Sequence, residues 1–360
     1  MNLDKLEKIF ESEKPFRLKQ AKQAIFRDLI ESWDEATTLP LTLREQLEAE
    51  VPLDIKAEIF KDKDGQSAKA LMTLEDGLEV ETVLMQHALR VPQGGPQAGR
   101  NTVCVSSQVG CPLGCSFCAT GAMGFKRNLS VSEIVEQVLL WARWLSHPTP
   151  TLPLAGEGKS RVNNIVFMGM GEPFLNYDNV FAAIKILNDD NLLGIGARHI
   201  SISTVGIVEG IEQMAEDMPQ INLAISLHSP EDALRQKLMP IDKKYPLSAI
   251  IAAAKDYVVK TNRRLMFEYI MIRGVNDSEE QAKQLVGLLD NRLFFVNLIA
   301  CNPTGVFEPS LPGQIKKFKD ILEKAGIQAL QRYRFGQDVR GACGQLAGGK
   351  KVAESANGDK

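Results

Sequence analysis

The sequence predicts an α/β fold, a sheet of parallel strands with intervening helices that is either open or rolled into a partial barrel. Three observations carry this. After Asn101 apolar strand-like runs alternate with amphipathic segments, six such runs occur, and a 44% hydrophobic content over 360 residues is ample for a large core. The strands are TVCVSS, NNIVFMG, HISIST, INLAISL, RLMFEYIM and FFVNLIA, with helices beginning near Ser130, Asp178, Val208, Ser248 and Ser278. In such a sheet ligands gather at the C-terminal ends of the strands.

Ahead of this region, residues 1–50 read as a small helical domain. Leu18, Ala21, Ile25 and Leu29 recur at helical spacing, and Pro15 sits where a helix can begin. Its Lys14, Arg17, Lys19, Lys22 and Arg27 form either a solvated face or an RNA-touching one. Residues 51–100 read as a short β extension and linker, because AKALMTL and LEVETVLM are separated by the turn EDG and followed by the Gly/Pro-rich ALRVPQGGPQAGRN. The main unit spans 101–349. Within it, SHPTPTLPLAGEGKS at 146–160 is an exposed insertion, and 350–360 is a polar tail.

Bulk charge excludes a polyanion binder that works by global attraction: 42 Lys and Arg face 45 Asp and Glu, for a net charge of −3. The N-terminus lacks an apolar signal region, and no apolar run has membrane-spanning length. A cytoplasmic protein with no membrane partner is expected. Six cysteines, three of them within eight positions, suit a metal or redox site better than a disulfide framework.

Those three are Cys111, Cys115 and Cys118, at intervals of four and three in a glycine-containing loop that follows a strand. Three thiolates from one loop can ligate three irons of a cubic cluster and leave the fourth without a protein ligand. Zinc needs a fourth ligand or a bound water, and His87 or His228 would have to serve. On residues alone, Cys104 and Cys343 are ordinary small buried hydrophobes, Glu81 is the solvent face of a strand, and His228 is a satisfied core histidine. Gly169-Met170-Gly171-Glu172-Pro173 is a close-approach turn or a plain strand exit.

The spacing Cys-x-x-x-Cys-x-x-Cys resembles the signature of the radical S-adenosylmethionine (SAM) superfamily. Cys104-Val-Ser-Ser-Gln-Val-Gly-Cys111, Phe117-Cys118-Ala-Thr-Gly-Ala-Met-Gly-Phe-Lys-Arg-Asn128 and Arg340-Gly-Ala-Cys343-Gly-Gln-Leu-Ala-Gly resemble the RlmN/Cfr family of RNA adenine methyltransferases. The resemblance implies a radical SAM partial (βα)6 barrel, with a [4Fe-4S] cluster on Cys111, Cys115 and Cys118 and SAM on its open iron. It implies SAM contacts from Gly171, Glu172, Ser203, Ser226, Leu227, His228 and Asn302. It further implies that Cys343 carries a methyl group, that Cys104 resolves a protein–RNA adduct by forming a disulfide, and that Glu81 accepts a proton.

Of the two branches, the resemblance favours RlmN, which methylates C2 of an adenosine in the peptidyl transferase centre of 23S rRNA and in tRNA next to the anticodon. The Cfr branch methylates C8 and confers antibiotic resistance. An iron-sulfur RNA-binding or electron-transfer protein is the alternative from another class. Flavodoxin or ferredoxin is the implied electron donor, and a monomer the implied state. Cys301 has no implied role. Lys126, Arg127, Lys243, Lys244, Arg263, Arg264, Arg332 and Arg334 are candidate phosphate contacts or plain surface charge.

Overall fold

A computed structural model of the chain describes residues 1–87, 99–146, 161–302, 305–332 and 339–347. The linker before Gly99, nearly all of the 146–160 insertion, Arg334 and the polar tail lie outside the described residues.

The N-terminal region holds three helices, α1 (Leu3–Phe10), α2 (Pro15–Phe26) and α3 (Leu41–Glu50). Asn2 caps α1 by accepting from the Lys5 amide, and Pro15 opens α2 at the position where its missing N–H costs nothing. Their apolar faces, with Leu6, Ile25, Trp33 and Leu47 fully buried, pack into the main core. The basic residues of this region are largely spoken for. Lys22 pairs with Glu7 at 2.7 Å, Arg17 with Glu13 at 3.2 Å, and Arg27 binds the carbonyls of Asp190 and Asn191.

Three antiparallel strands follow, β1 (Ala57–Lys61), β2 (Ser67–Thr73) and β3 (Glu79–His87), and β3 pairs antiparallel with β4 (Arg100–Cys104). A separate hairpin, β5 (Gln108–Gly110) with β6 (Phe125–Asn128), brackets the cysteine loop and the single-turn helix α4 (Ala119–Ala122). From β4 the sheet continues in parallel through β7 (Asn164–Phe167), β8 (Ile200–Thr204), β9 (Asn222–Ser226), β10 (Leu265–Met271), β11 (Phe294–Ala300) and β12 (Gln328–Gln331).

The crossovers carry α5 (Val131–Ser146), α6 (Tyr177–Asn188), α7 (Val208–Asp217), α8 (Asp232–Leu238), α9 (Leu247–Thr261), α10 (Glu279–Leu288) and α11 (Pro312–Lys324). The ten strands run β1-β2-β3-β4-β7-β8-β9-β10-β11-β12 with both edges unpaired among the described residues, so the barrel is partial. It is nonetheless rolled, since Arg332 just beyond β12 donates from Nη1 to the Met168 sulfur just beyond β7, at 3.4 Å.

All six expected parallel strands are present. β12 is an addition: of QALQ only Ala329 is buried, so it is a polar edge strand without the apolar run that marks the others. Strand β3 has a special place in this sheet. Because it runs against β4, its beginning at Glu79–Glu81 lies beside the C-terminal end of β4, where ligands collect.

The N-terminal helices are fixed to the barrel through α5. Arg143 donates from Nη1 to the Leu53 carbonyl at 2.9 Å and from Nη2 to the Ile30 carbonyl, and the Leu3 amide donates to Ser132 Oγ at 3.0 Å. Arg143→Met keeps the aliphatic stem but leaves two buried carbonyls unbonded, and is expected to cost about 2–4 kcal/mol in urea unfolding. Amide exchange should accelerate first in the N-terminal helices.

Candidate functional site

Past β4 the chain is stitched to the turn after β7. The Ser107 and Gln108 amides donate to the Met170 carbonyl at 2.8 and 3.2 Å, Met170 N donates to Ser106 Oγ at 2.8 Å, and Glu172 N donates to Gln108 Oε1 at 2.9 Å. The buried Gln137 amide clamps both the N–H and the C=O of Ser106. Gly171 permits this closeness: its φ is +98°, and a Cβ there would lie 2.6 Å from that of Gln108. The motif Gly169–Pro173 is therefore a close-approach turn built against Ser106–Gln108.

The cysteine loop is folded back by Gly110, where φ is +74° and a Cβ would sit 1.8 Å from the Gly124 carbonyl oxygen. That same carbonyl accepts from Cys111 N at 3.1 Å. On the other side, the Ser116 amide donates to the Leu238 carbonyl at 2.9 Å. The result is that Cys111, Cys115 and Cys118 all line one cleft at the C-terminal ends of the strands.

Burial pushes the Cys111 thiol up to about 12, and burial with the neighbouring Cys118 and Cys111 sulfurs pushes Cys115 up as well. Thiols that oppose one another's ionisation gain most from a shared cation, which is how a thiolate donor set meets iron. Among the described residues no three His, Cys, Asp or Glu side chains converge closely enough for a single metal ion. Three thiols from one loop on one cleft wall match the donor set of a cubic iron-sulfur cluster with one iron left open.

Around the cleft stand the residues expected to meet SAM. Gly171, Glu172, Ser203, Ser226 and His228 line it. Glu172 is buried, with Oε1 accepting from Phe174 N at 3.1 Å and Oε2 from Val205 N at 2.9 Å; burial raises its carboxyl to about 7. His228 adopts a left-handed φ of +61° and accepts on Nδ1 from Ile270 N at 3.1 Å, which places its proton on Nε2. Its ring meets Phe117 edge-on at 4.9 Å, and burial together with Arg235 lowers it to about 3. Leu227 does not face the cleft. It is fully buried, and its carbonyl is tied to Arg235.

Arg235 was not foreseen. Fully buried on α8, its guanidinium donates to the carbonyls of Val205, Ser226, Leu227 and Tyr245 at 2.6, 3.1, 3.1 and 3.3 Å and pairs with Asp242 at 2.6 Å. Glu268 on β10 was missed as well. It is buried on the cleft wall, with Oε2 accepting from Asn297 at 2.8 Å, and burial raises its carboxyl.

The segment after β12 closes the site. Gly344 and Leu346 carbonyls accept from Ala119 N at 2.8 Å and Thr120 Oγ1 at 2.6 Å, both in the cysteine loop. Asn302 Nδ2 donates to the Cys343 carbonyl at 3.0 Å, and Ala347 N donates to Glu81 Oε2 at 2.9 Å. Held this way, Cys343 lines both the cleft and a smaller adjoining pocket whose walls include Cys104, Asn302, Met168 and Arg332. Burial pushes the Cys104 thiol up to about 12, the nearby Cys343 adds to this, and Arg332 opposes it.

Two expectations need correcting. Arg332 is half-buried rather than a plain surface charge: the curl of the sheet turns it against Met168, near Cys104, Cys343 and Glu268. Arg127 is bound to Asp76 at 2.6 Å and to both oxygens of Glu133 at 2.8 Å, which removes it as a free cation. Glu81 lines neither cavity; besides Ala347 N its carboxylate meets Lys69 Nζ at 2.9 Å, in an ion pair with both side chains 3% exposed. Cys301 is fully buried in the small apolar cluster of Leu238, Met239, Ile270 and Ile272.

Comparison with known proteins decides the family. The family model of the radical SAM superfamily matches residues 152–286. A probable dual-specificity RNA methyltransferase RlmN of Chloroflexus aurantiacus is 42% identical over 98% of this chain and 92% of its own. A ribosomal RNA large subunit methyltransferase Cfr of Clostridium botulinum is 40% identical over 92% of each. A radical SAM methyltransferase of Sphaerobacter thermophilus superposes with a TM-score of 0.86 at 40% identity, over 97% of this chain and 98% of that one.

The chain belongs to the RlmN/Cfr family. It is a radical SAM RNA methyltransferase that works with SAM and a [4Fe-4S] cluster. In this member of the RlmN/Cfr family, Arg235→Met leaves four carbonyls and Asp242 without their partner. About 3–5 kcal/mol of stability should be lost in denaturant titration, since breaking a buried pair strands the remaining charge.

His228 gives a pH signature. Its folded pKa lies below the unfolded value, so the folded state binds fewer protons and stability rises with pH through the window from about 3 to 6.5. Between pH 5 and pH 7 the wild type should gain about 1–2 kcal/mol relative to His228→Asn, which keeps an acceptor and tolerates the left-handed φ. Parallel urea titrations at the two pH values check this.

Proposed function

We propose that the protein methylates C2 of an adenosine in 23S rRNA and in tRNA, with Cys343 as methyl carrier. The observation that carries this reading is the position of Cys343, on the wall between the cleft of Cys111, Cys115 and Cys118 and the pocket of Cys104. A thiol that only filled core space would not be presented to both. The printed names of relatives as dual-specificity and ribosomal RNA methyltransferases support the substrate class.

An aromatic C–H carbon of adenine is too weak a nucleophile to take a methyl group from SAM by displacement, so the methyl must first reside on a better one. Cys111, Cys115 and Cys118 would hold the [4Fe-4S] cluster, and Gly171, Glu172, Ser203, Ser226 and His228 would hold SAM, with Leu227 setting their backbone. When bound, this pair supplies a 5'-deoxyadenosyl radical that removes a hydrogen atom from the S-methyl group of Cys343.

The resulting methylene radical of Cys343 adds to the adenine ring and tethers protein to RNA, and the adduct gives up one electron, which the oxidised cluster would take back. Glu81 takes the ring proton; its hydrogen bond from Ala347 N ties it to the segment that carries Cys343. The Cys104 thiolate then attacks the Cys343 sulfur, the sulfur–carbon bond breaks as the disulfide forms, and the freed carbon takes a proton so that the base leaves methylated. Asn302 fixes the Cys343 carbonyl throughout. Arg332, on the wall of the same pocket, favours the Cys104 thiolate against the pull of burial.

Reconstituted anaerobically with SAM and an rRNA fragment, the wild type should yield 2-methyladenosine by mass spectrometry. Cys343→Ala should abolish product, and Cys104→Ala should accumulate a covalent protein–RNA band. An exclusively 8-methyl product would move the chain to the Cfr branch, and an active Cys343→Ala would overturn the carrier role.

A further inference from the structure

The cysteine loop has two faces. Cys111, Leu113, Cys115, Phe117 and Cys118 line the cleft, while Pro112, Gly114 and Ser116 alternate with them and are exposed. A cluster held by the three sulfurs would thus lie one loop thickness beneath the outer surface. Each one-electron cycle needs an electron delivered to it, and transfer through protein weakens steeply with distance, so the donor must dock where this loop is exposed.

Four exposed lysines flank that face, with Glu209 near Lys244. Lys126 follows the hairpin residue Gly124 whose carbonyl holds Cys111 N, and it is exposed beside the exposed Phe125. Across the loop, Lys237 precedes Leu238, whose carbonyl accepts from the Ser116 amide, and Lys243 and Lys244 follow five and six residues later. All four lysines are exposed, and none forms an ion pair among the described residues. Asp76 and Glu133, the carboxylates paired with Arg127 next to Lys126 in sequence, are already neutralised. In a chain of net charge −3, this leaves exposed lysines flanking Pro112, Gly114, Ser116 and the exposed Phe125.

We infer that the outer face of the cysteine loop, framed by Lys126, Lys237, Lys243 and Lys244, is the docking surface for an acidic one-electron donor protein. The inference rests on the radical SAM reading of the cleft. One electron leaves the reduced donor and reduces the cluster, and no other bond changes at this surface. A frame of lysines around an apolar patch suits a brief encounter. Such redox interfaces are small, and complementary charge raises the association rate in a salt-dependent way.

The test uses the cluster-loaded enzyme, reduced flavodoxin as the acidic donor and dithionite as a donor that needs no docking. Zero-length carbodiimide coupling should join flavodoxin carboxylates to Lys126, Lys237, Lys243 or Lys244, read by peptide mass spectrometry. K126E, and separately K237E/K243E, should raise the flavodoxin KM for SAM cleavage about tenfold or more, while dithionite-driven cleavage without RNA stays unchanged. The wild-type flavodoxin rate should also fall several-fold as ionic strength rises.

An unchanged flavodoxin KM in both variants, or cross-links confined to another surface, overturns the docking assignment. So does a rise in the RNA Kd with no change in the flavodoxin KM, which would make the frame an RNA contact. If dithionite drives no SAM cleavage in the wild type, the fault lies instead with the radical SAM reading.

Discussion

The site hangs on the guanidinium of Arg235. Parallel strands end in carbonyls and amides that no longer have a neighbour strand, and in a ligand-binding bowl they must be satisfied without filling the bowl. Arg235 does this for the exits of β8 and β9 at once, taking the carbonyls of Val205, Ser226 and Leu227 from outside the cleft. The side chains of Ser226 and His228 are thereby turned inward. The same helix ends at Leu238, whose carbonyl holds the cysteine loop through Ser116. One buried cation therefore positions the cleft-lining turns after β8 and β9 and, through one turn of helix, the cysteine loop. Asp242 stabilises its charge, and the five donors of arginine match the number of acceptors in a way lysine could not.

Around that fixed floor the chemistry is assembled from elements far apart in sequence. Antiparallel β3 brings Glu81 to the same end of the sheet as Cys104, and Thr82 seals the junction by donating to the Cys104 carbonyl while accepting from Trp141. The segment after β12 then lays Cys343 across the opening, held by hydrogen bonds from Ala119, Thr120 and Asn302 and by its own Ala347 N donating to Glu81. Besides the turn bond from Gln345 N to the Ala342 carbonyl at 3.0 Å, these anchors all run to the barrel and the cysteine loop. Loss of the cysteine loop's order would therefore also misplace Cys343.

Sequence reading located the strands and the three loop cysteines because both announce themselves locally, by apolar runs and by spacing. It failed where identity depends on direction. Arg332 sits in a polar stretch that reads as surface, and only the curl of the sheet turns it inward to meet Met168. Arg235 and Lys69 look like ordinary helix and strand charges, yet each is buried against a carboxylate 7 or 12 positions away. The edge strand β12 and the hairpin β5–β6 were silent because short polar strands carry no periodicity. Glu268 hides within the apolar run of β10, where a single acid reads as an interruption. Cys104, Cys343 and Glu81 were visible only through family resemblance, since nothing local separates them from filler.

Electrostatics give the site a built-in direction. Burial favours the neutral form at His228, Glu172, Glu268, Cys104 and Cys111. A cleft lined this way resists charge of its own and responds to charge brought in. Iron would draw protons from the loop thiols, and the ammonium of SAM would favour the ionised Glu172, so that binding of each cationic partner is coupled to proton release. Arg332 is the exception, a cation belonging to the chain and placed beside Cys104. It lines both the cleft and the adjoining pocket, so the chain's own positive charge stands where those two spaces meet, beside Cys104 and Cys343.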